Sequence, residues 1–374
     1  MSTNKVVDSI NPNDKVAHNN KALTLKNLGR YEEAIEECNK ALAIDPNYKE
    51  AHNIKGLALD GLNRHEEAIK EYDEALAIDP NYKEARDNKA AALYYLDRYE
   101  EAIKEYDKAL AIDPNDKWLY ISKGGVLDDD LGRHEEAIKE YDEALVIDPN
   151  FMEAHHNKGV ALSRLGRYKE AIKEFDKALA IDPDFTLARD LKGKALYELG
   201  RYKEAIKEYD KALAINPNLA LVYVDKGKAL YELGRYEEAI KEYDEALAIH
   251  PNYKEAHYNK GAALCGLNRY EEAIKEYEEA LAIHPRDKLV RVHKGEALNK
   301  LRRYEEAIKE FDKALAIDPN LKEGHYNKGL ALYGLNRYEE AIKEYDEALA
   351  IDPNYKEARD NKELVLKELK RSKK

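Results

Sequence analysis

Residues 47–80 read NYKEAHNIKGLALDGLNRHEEAIKEYDEALAIDP, and nearly the same text returns along the whole chain. Two apolar stripes at helical spacing lie inside it. The first comprises Ala51, Ile54, Leu57, Ala58 and Leu59, and it follows a start signal of Asn47 with Glu50 three residues on. The turn GLNR (61–64) ends it. The second stripe carries Ala68, Ile69, Tyr72, Ala75, Leu76 and Ile78 opposite a charged face, and Asp79-Pro80 stops it. No β alternation competes, so the segment reads as a helical hairpin.

The prolines carry this reading to the rest of the chain. They stand at Pro12, Pro46, Pro80, Pro114, Pro149, Pro183, Pro217, Pro251, Pro285, Pro319 and Pro353, every interval being 34 residues except the 35 between Pro114 and Pro149. A fixed period of this length marks a solenoid, in which each unit buries its apolar face only by stacking on its neighbours. Charged residues make up 37% of the chain, against four Phe, one Trp and two Met, which suits many amphipathic helices better than one thick core. The net charge of −13 is spread along the chain and argues against nucleic acid or an anionic membrane as partner. LVLKELKRSKK at the end is a short basic helix terminus. Cys38 and Cys265 have no metal or redox spacing. MSTNKVVDSINPND lacks the apolar core of a signal peptide, and no apolar run reaches membrane-spanning length, so a cytoplasmic protein is expected.

Small residues recur in columns. Ala34, Ala68, Ala102 and their successors to Ala341 form one, and Ala41 to Ala348 another. A third is glycine at Gly56, Gly124, Gly159, Gly193, Gly227, Gly261, Gly295 and Gly329, with Ala22 and Ala90 in the same place. Glycine inside a helix costs about 1 kcal/mol against alanine, so these positions imply backbone contact with the partner helix. Tyr72, Tyr106, Tyr141, Phe175, Tyr209, Tyr243, Tyr277, Phe311 and Tyr345 fill the space between, with Cys38 in the first slot. The period and the glycine, alanine, aromatic and proline columns resemble the tetratricopeptide repeat. The resemblance covers ten units over 15–355, the fourth (117–151) one residue longer. It implies an all-α, right-handed superhelical α-solenoid. Residues 1–14 read as the remnant of a preceding helix. Residues 356–374 read as a capping helix and basic tail, with Leu364, Val365, Leu366 and Leu369 turned inward. Two columns depart from the family: lysine (Lys21, Lys55 and onward to Lys362) where leucine is usual, and His, Arg or Tyr (His18, His52, Arg86, Tyr120 and onward) where Trp is usual.

The histidine column does not read as a metal site, because stacked helices lie about 8–10 Å apart and a zinc ion needs nitrogens near about 2 Å. The lysine stems are expected to pack at the hairpin interface with each ammonium reaching an acid on the second helix. No phosphate loop, nucleophile elbow or Cys–His pairing appears, so a non-enzymatic chain without cofactor or metal is expected. The aspartates of KWLYISKGGVLDDDLGR (117–133) lack calcium-loop spacing and are expected to form a lengthened turn or bulge.

What remains is the surface that varies. The resemblance implies that first helices line a concave wall. The apolar and aromatic residues on it are Trp118, Ile121, Leu187, Tyr197, Leu221, Val224, Tyr231, Tyr258, Leu289, Val292, Tyr326, Leu330 and Tyr333, which is what a groove for a partner's peptide or helix requires. Asn20, Asn88, Asn157, Asn259, Asn327 and Asn361 form an interrupted column able to hold a peptide backbone, similar to the asparagine ladder of the O-linked N-acetylglucosamine transferases. The two-carboxylate clamp for chaperone C-termini has no counterpart, since no unit sets the required lysine beside its asparagine. The expected function is a protein interaction scaffold. The alternatives are end-to-end self-association, to which the near-identity of 64–89 and 337–362 points, a targeting module for an enzyme on another chain, and a consensus-like designed array.

Overall fold

The computed structural model describes residues 13–372, and every regular element among them is helical. Most of the helix remnant expected in 1–14, and the last two residues of the basic tail, lie outside the described residues. The chain divides into two compact units, 1–188 and 189–374. The first holds hairpins α1 (Lys15–Asn27) with α2 (Tyr31–Ile44), α3 (Lys49–Gly61) with α4 (His65–Ile78), and α5 (Lys83–Tyr95) with α6 (Tyr99–Ile112). Its last two are α7 (Lys117–Gly125) with α8 (His134–Ile147) and α9 (Met152–Arg164) with α10 (Tyr168–Ile181). Helix α11 (Thr186–Glu198) runs through the division and pairs with α12 (Tyr202–Ile215). The second unit continues with α13 (Ala220–Glu232) and α14 (Tyr236–Ile249), then α15 (Lys254–Gly266) and α16 (Tyr270–Ile283). It ends with α17 (Lys288–Lys300) and α18 (Tyr304–Ile317), α19 (Lys322–Gly334) and α20 (Tyr338–Ile351), and the single helix α21 (Lys356–Ser372). None is long and apolar enough to cross a membrane.

Each hairpin closes on one contact. A Cβ added to Gly56 would lie 2.4 Å from Cε1 of Tyr72, and the other seven glycines of the column meet their aromatic partners at 2.4–2.6 Å. The rings are buried to between 0 and 2% exposure where glycine faces them. Where the column holds Ala90, the facing Tyr106 is 5% exposed, and where it holds Ala22 the ring is replaced by the smaller Cys38. The turns repeat as well. A left-handed residue occurs once per hairpin, usually Gly (Gly29, Gly132, Gly166, Gly200, Gly234) or Asn (Asn63, Asn268, Asn336), with Asp97 and Arg302 as exceptions. The arginine that follows donates to the glutamate three residues on, as in Arg64 Nε to Glu67 Oε1 at 2.7 Å. These pairs are exposed, and solvent screening leaves each of them a small contribution to stability.

Two expectations change, and the bulge expected in 117–133 is borne out. The first helix of 47–80 starts at Lys49 behind Tyr48, with no side-chain cap, because Asn47 is held in the preceding turn by Asp45 Oδ1 at 3.0 Å. Leu364 is 44% exposed while Val365 is 1% exposed, since a helix turns 100° per residue and cannot bring 364, 365 and 366 to one face. The extra residue after Gly125 is absorbed by a π-helical turn, Val126–Asp130. Within that turn Asp128 is 3% exposed and receives His134 Nδ1 at 2.6 Å and Arg164 at 2.7 Å.

The two columns that depart from the family carry the polar framework. Lys260 Nζ lies 2.7 Å from Glu276 on its own second helix and 2.7 Å from Asp244 on the second helix before it. Lys123, Lys226 and Lys328 make the same double bridge. The expected acid on the second helix is there, and the lysine also pins neighbouring hairpins together. In the His/Arg column, His52 contacts Glu71 Oε2 at 2.7 Å and the carbonyl of Pro46 at 3.2 Å, and His325 contacts Glu344 at 2.7 Å and the Pro319 carbonyl at 3.1 Å. Arg86 and Arg291 donate to the equivalent glutamate and carbonyl. A neutral imidazole has one N–H, so only the protonated ring donates to both acceptors.

Three outcomes follow from these contacts. Gly56→Ala drives a methyl into a ring that Asp60 holds by its hydroxyl at 2.6 Å, and urea unfolding should show a loss of about 1–3 kcal/mol despite alanine's better helix propensity. Arg302→Gly removes a left-handed non-glycine residue and should gain about 1 kcal/mol in the same assay. Hydrogen bonding to Glu71 and to Glu344 raises the pKa of His52 and His325 above 6.5. The stabilisation they give is therefore complete below about pH 6.5, the unfolded value, and is lost as pH rises through the raised value. Melting followed by circular dichroism should show Tm falling across that window, and the slope should flatten in the His52→Arg, His325→Arg double variant.

Candidate functional site: the first-helix wall

Packing consumes one face of each first helix, and the residues left over make a wall in each unit. Trp118, Leu187, Leu221 and Leu289 occupy one column and are 55, 49, 45 and 51% exposed. Glutamate stands in that column in other hairpins, at Glu50, Glu84, Glu153, Glu255 and Glu323. Trp118 rests edge-on against Phe151, ring centres 4.8 Å apart, which leaves its far face open. Tyr197, Tyr231 and Tyr333 form a second column of half-buried rings. Each packs on the first tyrosine of its second helix, Tyr202, Tyr236 and Tyr338, at 5.2, 5.2 and 5.8 Å. Tyr258 is half-buried beside His293 at 5.6 Å.

Several expected groove residues do other work. Val224 and Val292 are 0 and 3% exposed and belong to the core, because their column points between neighbouring first helices. Ile121 packs on Ala144, Phe151 and Ala154 of the following elements. Leu330 lies against the core around Leu332 and Val365. Tyr326 packs on Tyr355 at 5.1 Å and its hydroxyl accepts from Asn361 at 3.0 Å. The asparagines do not form one open ladder. Asn88 donates to Asn53 at 2.9 Å and Asn327 to Glu296 at 2.8 Å, whereas Asn20 is exposed, Asn157 is half-buried and Asn259 lines a cavity.

The sequence reading missed a buried charged cluster between α11 and α13. Asp190 and Asp225 are 5 and 8% exposed. Lys194 Nζ lies 2.7 Å from Asp190 and 3.4 Å from Asp225, and Lys228 Nζ lies 3.1 Å from Asp225. Burial pushes the Asp190 carboxyl above the usual carboxylate range, against the pull of Lys194. Burial works against the Lys194 ammonium, but its contacts with Asp190 and Asp225 outweigh that and raise its pKa. The signal was legible. Lys194 and Lys228, with Glu296, are the charged members of a column that elsewhere holds Leu23, Leu57, Ala91, Gly125, Val160, Ala262, Leu330 and Leu364. Among the described residues, no group of three or more His, Cys, Asp or Glu side chains is placed to hold a metal ion.

Stacked helical hairpins with a varied first-helix wall define a repeat scaffold. Family models for the TPR repeat match residues 130–166 and 193–234, and models for the tetratricopeptide repeat match 16–48, 49–82, 83–116, 152–185, 224–288, 263–322 and 294–356. The chain belongs to the tetratricopeptide repeat family. No curated protein matches it. Among solved structures it is similar to a chain of the APC/C hetero-tetramer Cut9–Hcn1, with 17% identity, a TM-score of 0.50 and coverage of 94% of this chain and 84% of that one. It is also similar to a tetratricopeptide repeat protein from Parabacteroides merdae, with 16% identity, a TM-score of 0.51 and coverage of 67 and 98%. Both likenesses are of fold. YrrB, a TPR protein with an unusual peptide-binding site, aligns at 25% identity and a TM-score of 0.44, over 50% of this chain and 95% of its own.

Proposed function

We propose that the first-helix wall binds an extended segment of a partner protein. Tetratricopeptide repeat proteins mediate protein–protein interactions and are typically non-catalytic. What supports the reading in this chain is the column of Trp118, Leu187, Leu221 and Leu289, each about half exposed on a surface that the same column makes acidic elsewhere. Large apolar groups held out by a rigid scaffold are the usual anchors of an interface. The glycine, alanine and lysine columns fix the frame, the half-buried tyrosines supply flat contact area, and the exposed apolar column selects side chains of the partner. Packing rather than binding accounts for Ile121, Val224, Val292 and Tyr326, so the proposed contact residues are Trp118 and Leu187 on the wall of the first unit and Tyr197, Leu221, Tyr231, Tyr258, Leu289 and Tyr333 on that of the second.

Selection of a displayed random-peptide library on the immobilised chain tests this. The selected peptides should bind the Trp118→Ala, Leu221→Ala, Tyr258→Ala variant at least about tenfold more weakly, a loss of about 1.4 kcal/mol, while its helical circular dichroism is unchanged. Equal binding to the folded variant would remove the wall from consideration.

A further inference from the structure

We infer that the part of the wall built by α11, α13 and α15 takes an arginine side chain of the bound segment, an inference that rests on the wall being a peptide site. Two adjoining cavities of about 230 Å³ each open here, and Tyr197 and Lys228 line both. Asp225 and Glu198 line the first, and Tyr231, Glu232, Tyr258 and Asn259 line the second.

The cluster is short of donors. Asp225 Oδ2, on a residue that lines the first cavity and is 8% exposed, takes no hydrogen bond, and Asp190 Oδ1, on a residue 5% exposed, takes none either. Lys194 Nζ lies 3.4 Å from Asp225 Oδ2 and is closer, at 2.7 Å, to Asp190. A buried carboxylate oxygen without an N–H is costly, and a ligand that supplies one relieves that cost. The charge balance of the lining has the same sign: Asp225, Glu198 and Glu232 outnumber Lys194 and Lys228. The walls are aromatic: Tyr197 lines both cavities, and Tyr231 and Tyr258 line the second together with Glu232.

A guanidinium suits this combination better than an ammonium. It is planar and stacks on a tyrosine ring, it is more weakly hydrated, and its donors reach several acceptors at once. An acidic side chain would face the carboxylates, and an apolar one would leave the open oxygens without donors. In the free chain Lys194 and Lys228 hold the place of the incoming cation. Their side chains are 35 and 39% exposed, so each has a path to solvent when it is displaced.

The experiment uses the full chain and fluorescein-labelled glycine–serine peptides that differ in one central residue: arginine, lysine, citrulline or glutamate. Fluorescence anisotropy should show the arginine peptide binding about tenfold more tightly than citrulline, its uncharged isostere, with glutamate weakest. Asp225→Asn should cut the preference for arginine over citrulline several-fold, whereas Tyr231→Ala, which removes contact area common to both, should weaken both peptides. Lys228→Ala should strengthen the arginine peptide, because an internal competitor is gone. A merely structural ion pair would not produce that gain. Equal affinity for arginine and citrulline, or no binding of the arginine peptide to the folded chain, would overturn the inference. Peptides selected from the library that bind without arginine, and still depend on Leu221 and Tyr258, would leave the wall as a peptide site and sink the arginine subsite alone.

Discussion

The structure depends on a ring laid against bare backbone. In eight hairpins an aromatic side chain from the second helix covers a glycine of the first, so closely that a methyl group has no room. Burying a ring of this size is worth several kcal/mol at about 25 cal/mol per Å², far more than the roughly 1 kcal/mol that glycine costs its helix. The contact also fixes how near the two helices approach and where along each other they stop. Its variants obey the same volume rule: Ala22 meets Cys38, and Ala90 meets a ring that has moved slightly outward.

Once the hairpin is closed, polar side chains set the spacing between hairpins. The lysine column bridges an acid on its own second helix and one on the helix before, while the His/Arg column joins a glutamate to the carbonyl of the preceding proline. Both networks lie at half-buried positions, where water screens less and fixed geometry is retained. The family usually places leucine and tryptophan at these sites. Charge in their place makes the stacking directional and, at His52 and His325, sensitive to pH.

Against this frame, variation acquires meaning. The extra residue in 117–133 is taken up by a π-helical turn that keeps Leu127 buried and places Asp128 between His134 and Arg164. Trp118, about two turns of helix earlier in the same stretch, stays more than half exposed. The wall of the second unit differs in kind, since its tyrosines stand beside a buried set of carboxylates and ammonium groups.

Period and column chemistry by themselves determined the hairpins, their turns, the ring slots and the surface on which variation collects. Those properties follow from spacing along one helix, and every repeat states them again. Tertiary structure decided which residues of that surface are open. Val224 and Leu221 lie three residues apart on α13, yet one is in the core and the other half exposed, because a neighbouring first helix covers the former. It also decided that Asn88 and Asn327 bind within the wall, and that Asp190, Lys194, Asp225 and Lys228 converge from different hairpins. Such pairings depend on the distance and rotation between adjacent helices, which the pattern within a single repeat does not contain.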